Sequence, residues 1–253
     1  VRADHDRARV SMRRIHPDLA EDVDLAEAYA YPGPGPWLRA NMVASADGAA
    51  WVKGLSGGLS SEGDRRAFSV LRGLADVIVA GAATVRIEGY GPARPRESWA
   101  RLREGRPPAP PIAVVTRRLD LDLSGPLFTE AEPESRTIVV TTESAPADRR
   151  AEAARTADVI VAGGERVDLA LAMKALRDRG LAHVLTEGGP RLLGQIAAAG
   201  LLDELCLSVS PLLVGGEAAR VLNGPAAHTR LRLTQVLEEE GVLFCRYARE
   251  AET

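Results

Sequence analysis

The chain has 253 residues, 45% of them hydrophobic and 26% charged, enough for one large domain or two small ones with a sizeable core. A formal net charge of −3 leaves no basic excess to offset a polyanion, which excludes a general nucleic-acid binder. No apolar run approaches the roughly 20 residues that span a bilayer, so no membrane partner is expected.

Val1 to Arg14 mixes Arg, Asp and His without an apolar core, so no signal peptide is expected. Cys206 and Cys245 sit inside apolar runs and read as reduced, buried thiols of a cytoplasmic protein. Trp37 to Ala46 is strand-like. Ser61-Glu62-Gly63-Asp64 resembles a capping box, with Asp64 replacing the usual Glu or Gln. It opens a helix in which Ala67, Phe68, Leu71, Leu74 and Ala75 recur at helical spacing. Asp76 to Ala80 is a short buried strand ending at Gly81. The Pro- and Arg-rich stretch from Gly89 to Pro111 is long for a structureless connection, which points to a binding or lid role. Strands follow at Ile112 to Val115 and Thr137 to Thr141, then a helix from about Ala147, a strand at Asp158 to Ala162, a helix at Val167 to Arg179 and a strand at His183 to Leu185. Pro190 opens the next helix and Gly200 stops it.

Beyond Gly200 the pattern changes to strands at Glu204 to Ser210, Leu231 to Val236 and Val242 to Tyr247; Ala219 to Leu222 is too short to assign. Glu238-Glu239-Glu240-Gly241 fits a solvated hairpin connection. The expected fold class is α/β, a single domain with a mixed, mostly parallel central sheet, helices on both faces and an antiparallel C-terminal hairpin. Residues 1–36 form an N-terminal extension to a domain at 37–250.

Several chemistries are excluded by their residues. There is no G-x-G-x-x-G after a strand, no P-loop Lys-Ser/Thr pattern and no G-x-S-x-G elbow. No His-x-Glu with a later Pro-Cys-x-x-Cys is present, and His5, His16, His183 and His228 are scattered, so no metal is expected. The most informative stretch is Leu185 to Gly194. An apolar strand ends there in Glu187, two glycines and Pro190, and a helix begins. Free amides at that helix start suit a phosphate, and two residues without Cβ let an anion approach the backbone. A plain tight turn fits the same spacing.

Taken together, the glycine turns carry a resemblance. Asn41-Met42-Val43-Ala44-Ser45-Ala46-Asp47-Gly48, Leu71-Arg72-Gly73-Leu74-Ala75-Asp76, Val79-Ala80-Gly81-Ala82-Ala83-Thr84-Val85, Glu187-Gly188-Gly189-Pro190, Leu201-Leu202-Asp203-Glu204-Leu205 and Pro211-Leu212-Leu213-Val214-Gly215-Gly216 resemble, in order, motifs of the riboflavin-pathway pyrimidine reductases. The likeness covers residues 37–247 and is to the reductase domain of the deaminase–reductase family. It implies a dihydrofolate-reductase-like fold, NADPH as cofactor and a homodimer. The implied activity is reduction of the ribosyl group of 5-amino-6-(5-phosphoribosylamino)uracil, a phosphorylated pyrimidine. The alternatives are a dihydrofolate or other pterin-like reductase and a non-catalytic NADPH-binding protein.

The resemblance lays NADPH along Val43, Thr84, Glu88 and the turn formed by Gly188, Gly189, Pro190, Leu192, Leu193 and Gly194. Arg117, with Arg118 as its alternative, would pair with the 2′-phosphate. It assigns the substrate to Asn41, Ser56, Arg72 and Glu187, with Arg94 or Arg96 from the long loop. Arg72 is the expected phosphate anchor. Glu187, Asn41 and Asp47 are the catalytic candidates, a carboxylate orienting sugar hydroxyls or relaying a proton. The chain departs from the family where Gly58 replaces a Trp, Glu88 an Asp and Tyr90 a Pro.

Overall fold

The structure, a computed structural model, describes residues 12–226 and 228–250. Of the stretch in which no signal peptide is expected, residues 1–11, with His5, lie outside the described ones. In chain order the elements are β1 (Arg13–His16), α1 (Leu25–Ala28), β2 (Trp37–Ser45), α2 (Glu62–Leu74), β3 (Val77–Gly81), α3 (Ala82–Glu88), β4 (Ile112–Val115), α4 (Pro126–Thr129), β5 (Ile138–Thr141), α5 (Ala147–Thr156), β6 (Asp158–Val161), α6 (Leu169–Arg177), β7 (His183–Thr186), α7 (Pro190–Ala198), β8 (Glu204–Ser210), β9 (Leu231–Glu239) and β10 (Val242–Arg249).

Among the described residues the strands form one ten-stranded sheet in the order β1-β9-β10-β8-β2-β7-β3-β4-β5-β6. From β8 to β6 every neighbouring pair is parallel. The other end, β8-β10-β9-β1, is antiparallel. β3, β4 and β5 are apolar almost throughout because helices cover both faces. Ile78 and Ala80 of β3 join one core with Ala67 and Leu71 of α2, Val85 of α3 and Ala153 of α5. Val77 and Val79 point the other way, into a core with Ala172 and Leu176 of α6 and Leu193 and Ile196 of α7. The α/β class, the mostly parallel sheet and the antiparallel end are those expected, and both cysteines are free and buried.

The differences have local causes. Residues 82–88, left without an element, are helix α3. It is too short for periodicity to register, and Val85 is its only buried residue. Within the N-terminal 36 residues, β1 pairs with β9, and Met12, Ala28 and Tyr29 enter the core. β9 runs to Glu239, so the hairpin turn is Glu240-Gly241 alone, both at positive φ (50° and 79°). Glu239 is buried and ion-paired with Arg66 rather than solvated.

A correction concerns residues 89–111: Gly89, Tyr90 and Gly91 line a cavity, but Trp99 and Arg103 pin the rest to α2 rather than leaving it a lid. Trp99 is 2% exposed and its indole donates to the Ser69 carbonyl at 2.9 Å. Arg103, also buried, donates to the carbonyls of Gly73 (3.2 Å) and Ala75 (2.6 Å), capping the end of α2. An arginine-rich loop looks solvated in sequence, but here Arg103 and Arg106 donate to carbonyls at the end of α2 that would otherwise lack partners.

At the start of β2 and β8 a buried ionic cluster fixes register. Glu204 is paired with Arg39 at 2.7 Å and Arg246 at 2.8 Å and accepts from the Trp37 indole at 2.9 Å. Burial opposes the Glu204 charge, but the two guanidinium groups outweigh it and hold the carboxyl below its ordinary range. The opposite ends of these strands are thereby left to form the site.

Candidate active site

β2, β7 and β3 lie side by side and parallel, and beyond their C-terminal ends opens a cavity of about 920 Å³. That size lies at the upper end of small-molecule sites. Its walls come from distant segments. β2 supplies Asn41, Met42 and Val43; α2 supplies Arg65, Phe68 and Arg72; α3 supplies Thr84, Ile87 and Glu88; the start of α7 supplies Pro190, Arg191 and Leu192. Trp51 and Ser56 from the loop after β2, Ala219 and Asn223 from the connection between β8 and β9, and Tyr90 and Glu187 add to it.

The turn after β7 is stitched to β3 and α3. The Glu187 amide donates to the Val79 carbonyl (3.0 Å), and the Gly81 amide donates to the Gly188 carbonyl (2.7 Å). The Gly189 amide donates to Thr84 Oγ1 at 2.7 Å. Gly188 has φ +76°, and a Cβ on Gly189 would lie 2.6 Å from Thr84 Oγ1, so both glycines are required by geometry. Thr84 lies in the first turn of α3, and its hydroxyl satisfies the Gly189 amide. The amides left open at the N-terminus of α7 are those of Arg191 and Leu192, since Pro190 has none and Leu193 donates to the Gly189 carbonyl.

On the floor, Arg72 and Glu187 form a bidentate pair, Nε to Oε1 and Nη2 to Oε2, both 2.7 Å. The Tyr90 hydroxyl donates to Glu187 Oε2 at 2.6 Å. The Arg72 guanidinium also lies 4.4 Å over the Phe68 ring. Burial disfavours the Arg72 charge, but Glu187 more than compensates and raises its pKa. Burial, and then the Glu187 carboxylate, push the Tyr90 phenol well above its ordinary value, so it keeps its proton.

Of the sequence candidates, Asn41, Val43, Ser56, Arg72, Thr84, Glu88, Glu187, Gly189, Pro190 and Leu192 line the cavity together. Glu88 Oε1 accepts from the Ser56 amide at 3.1 Å. Others stand elsewhere. Leu193 is 1% exposed in the core, and Gly194 is packed so closely that a Cβ would meet the Asn223 carbonyl at 2.5 Å. Gly188 packs against Met42 behind the wall. Asp47 is a loop clamp: it accepts from Ser45 Oγ (2.5 Å), the Val214 amide (3.1 Å) and the Gly215 amide (2.7 Å). Arg94 pairs with Glu130 outside the cavity, and Arg96 stacks on Trp99. Arg117 and Arg118 are exposed just beyond β4, one strand further along the same edge than β3.

Arg65, Arg191 and Asn223 were not singled out by sequence, and Tyr90 was marked only as a departure from the family pattern. Arg65, Phe68 and Arg72 stand at i, i+3 and i+7, so a shared helical face was available as a signal. Tyr90 and Asn223 lie in loops, where spacing says nothing about direction.

A family model described as the RibD C-terminal domain matches residues 36–241. A 2,5-diamino-6-ribosylamino-4(3H)-pyrimidinone 5′-phosphate reductase from Methanothermobacter thermautotrophicus is 33% identical over 187 residues, 74% of this chain and 83% of that protein. A protein of the same name from Archaeoglobus fulgidus is 28% identical over 79% of this chain and 92% of its own. The crystal structure of a pyrimidine reductase-like protein from Corynebacterium diphtheriae superposes with a TM-score of 0.79 at 30% identity, over 86% of this chain and 93% of that one.

Proposed function

The chain belongs to the RibD C-terminal domain family, and on that premise we propose that it is an NADPH-dependent reductase of a phosphorylated ribosylaminopyrimidine in riboflavin biosynthesis. The observation that carries the reading is the Glu187–Pro190 turn, which opens onto the cavity where β2, β7 and β3 end. The residues there fit a dinucleotide. No Cβ stands at 188 or 189, two amides of α7 are open, and Arg191, which carries one of them, lines the same cavity.

Val43, Thr84 and Leu192 would hold the nicotinamide end, and the start of α7 the pyrophosphate, with Arg117 reaching the 2′-phosphate. When bound, NADPH supplies the hydride that C1′ of the sugar receives. The sugar opens as its C1′–O4′ bond breaks, and O4′ takes a proton. Glu187, fixed by Arg72 and Tyr90, orients the sugar hydroxyls from the cavity floor, and Asn41 faces them from β2. Tyr90 Oη holds a proton at the floor, 2.6 Å from Glu187 Oε2. Such chemistry asks the protein mainly for position.

The amino-uracil substrate and the 2,5-diamino-pyrimidinone of the relatives' names share the ribosylamino phosphate and differ in a ring substituent. The test follows absorbance loss of NADPH with each, and with dihydrofolate. Oxidation with either pyrimidine phosphate supports the reading; oxidation with dihydrofolate alone, or with none, overturns it. The family resemblance also implies a homodimer. Leu213 and Leu243, 85% and 37% exposed near the antiparallel end, support a self-association face, which sedimentation would register as a mass twice that of the chain.

A further inference from the structure

We propose that Asp47 is a positioning residue of the site, tying the loop after β2 to the connection after β8. Through this tie a dinucleotide held at the start of α7 fixes the opposite wall of the cavity and favours the second ligand; this rests on the reading of the cavity as a site for two ligands. The loop after β2 brings Ala50, Trp51 and Ser56 to the cavity, and the connection after β8 brings Ala219 and Asn223. Neither segment is a strand of the sheet at these positions, so the ladder does not hold them. Asp47 itself does not line the cavity, so it acts through these segments and not on a ligand.

The two segments meet along a row of hydrogen bonds with Asp47 at its centre. The Ala46 amide donates to the Leu212 carbonyl and the Ala50 amide to the Ala219 carbonyl, both at 2.9 Å. Between them Asp47 Oδ1 accepts from the Val214 amide at 3.1 Å, and Oδ2 accepts from the Gly215 amide at 2.7 Å. The hydroxyl of Ser45, the last residue of β2, donates to the same carboxylate, which anchors the acid to the strand end. Further along, the connection is pinned to α7. The Asn223 amide donates to the Pro190 carbonyl at 3.0 Å, and a Cβ on Gly194 would meet the Asn223 carbonyl at 2.5 Å. A continuous path thus runs from the loop after β2, through Asp47 and the connection, to the helix start.

The other links of this path are main-chain bonds, so Asp47 is the link that a side-chain substitution removes. It is exposed, and the Val214 and Gly215 amides can turn to water when it is lost. The walls would then part company while the core stays as it is. A carboxylate suits the place because both its oxygens accept, and three donors converge on them. Asparagine would set an NH2 group against one of the amides. A ligand that orders one wall lowers the cost of ordering the other only while such a tie is intact, and the coupling runs equally in both directions.

The test measures hydrogen exchange at Ala46 and Ala50, with and without NADP+, on wild type, Asp47→Ala and Asp47→Asn. NADP+ is expected to slow both amides about fivefold or more in wild type and to leave them unaltered in Asp47→Ala. Asp47→Asn should lie between, and it decides the matter if the alanine variant does not fold. Calorimetry reads the consequence for the second ligand. NADP+, which has no hydride to give, should tighten the pyrimidine phosphate about fivefold or more in wild type and not in Asp47→Ala. Trp99→Ala, which weakens the fold elsewhere, should keep both responses. Wild-type responses in the Asp47 variants overturn the proposal, as does their loss in Trp99→Ala. So does a wild type that binds NADP+ with no slowing of Ala46 and Ala50, or with no gain in affinity for the pyrimidine phosphate it binds. A wild type that binds no NADP+ overturns the proposal and the functional reading together. If NADP+ slows these amides through Asp47 but the pyrimidine phosphate is not bound, the functional reading fails and the tie stands.

Discussion

Replacing Arg72 by Met tests whether the cavity floor is held by coupled charges. The Glu187 side chain is 2% exposed and Arg72 19%, so the two charge-assisted bonds between them are largely shielded from water. At about 1.5–3 kcal/mol each, two such bonds amount to about 3–6 kcal/mol, and the partial exposure of Arg72 moves the expected loss for Arg72→Met to about 3–4 kcal/mol. Glu187→Leu should cost less, about 2–3 kcal/mol, because the stranded guanidinium can reach solvent. The double variant removes both charges and leaves only the buried Tyr90 hydroxyl without a partner, so its loss should be about 2 kcal/mol. The interaction energy is then at least about 3 kcal/mol. Urea denaturation with linear extrapolation gives all three values, provided the m-value is constant across the set. Additive losses would refute the reasoning, since they would mean that each side chain is stabilised by something other than its partner.

Three further outcomes follow from single contacts. Gly189→Ala should cost about 1–3 kcal/mol from overpacking and weaken NADPH binding, because the new Cβ would sit 2.6 Å from Thr84 Oγ1; Gly189→Ala with Thr84→Ala should recover part of the stability, read by thermal melts and calorimetric titration. Trp99→Ala should cost about 3–5 kcal/mol with unchanged NADPH affinity, whereas a lid would show the reverse. Asp47 is held down from 3.8 to about 2 by the Ser45 hydroxyl and then the Gly215 and Val214 amides. A carboxylate with a depressed folded pKa contributes stability above its unfolded value, so the clamp should persist above about pH 4 and be lost as pH falls through about 2. Hydrogen exchange at Val214 and Gly215 across that window, against Asp47→Asn at neutral pH, reads it directly.

The alternating strands and helices were legible because central strands buried on both faces are apolar throughout, as Val77–Ala80 and Ile138–Val140 are. Helix ends were legible where chemistry marks them. Ser61 does cap α2 through the Asp64 amide (3.1 Å), and Gly200 does stop α7 at φ +65°. What stayed hidden was direction. Nothing in the order of residues distinguishes Arg103, buried against helix carbonyls, from Arg65, exposed at a cavity rim, or Asp47, tying down a loop, from Glu187, facing a pocket. Both acids end a strand-like run before glycine; their partners decide the difference, and those partners are 115 residues away for Glu187 and 167 and 168 away for Asp47.

Sheet order accounts for where the site lies. β2 and β3 are consecutive among the sheet's central strands, yet β7 lies between them, and β8 continues the sheet on the far side of β2. The chain therefore leaves β2 through α2 on one face and leaves β7 through α7 on the other, and the two connections diverge above the same strand ends. A crevice at such a reversal is where open α/β sheets bind ligands. Here it brings one cation and one helix start to each side of a charge-balanced floor. Both helix starts therefore line the same cavity as the Arg72–Glu187 pair, so open amides of α7, the Arg65 and Arg191 side chains and a neutralised carboxylate share one crevice.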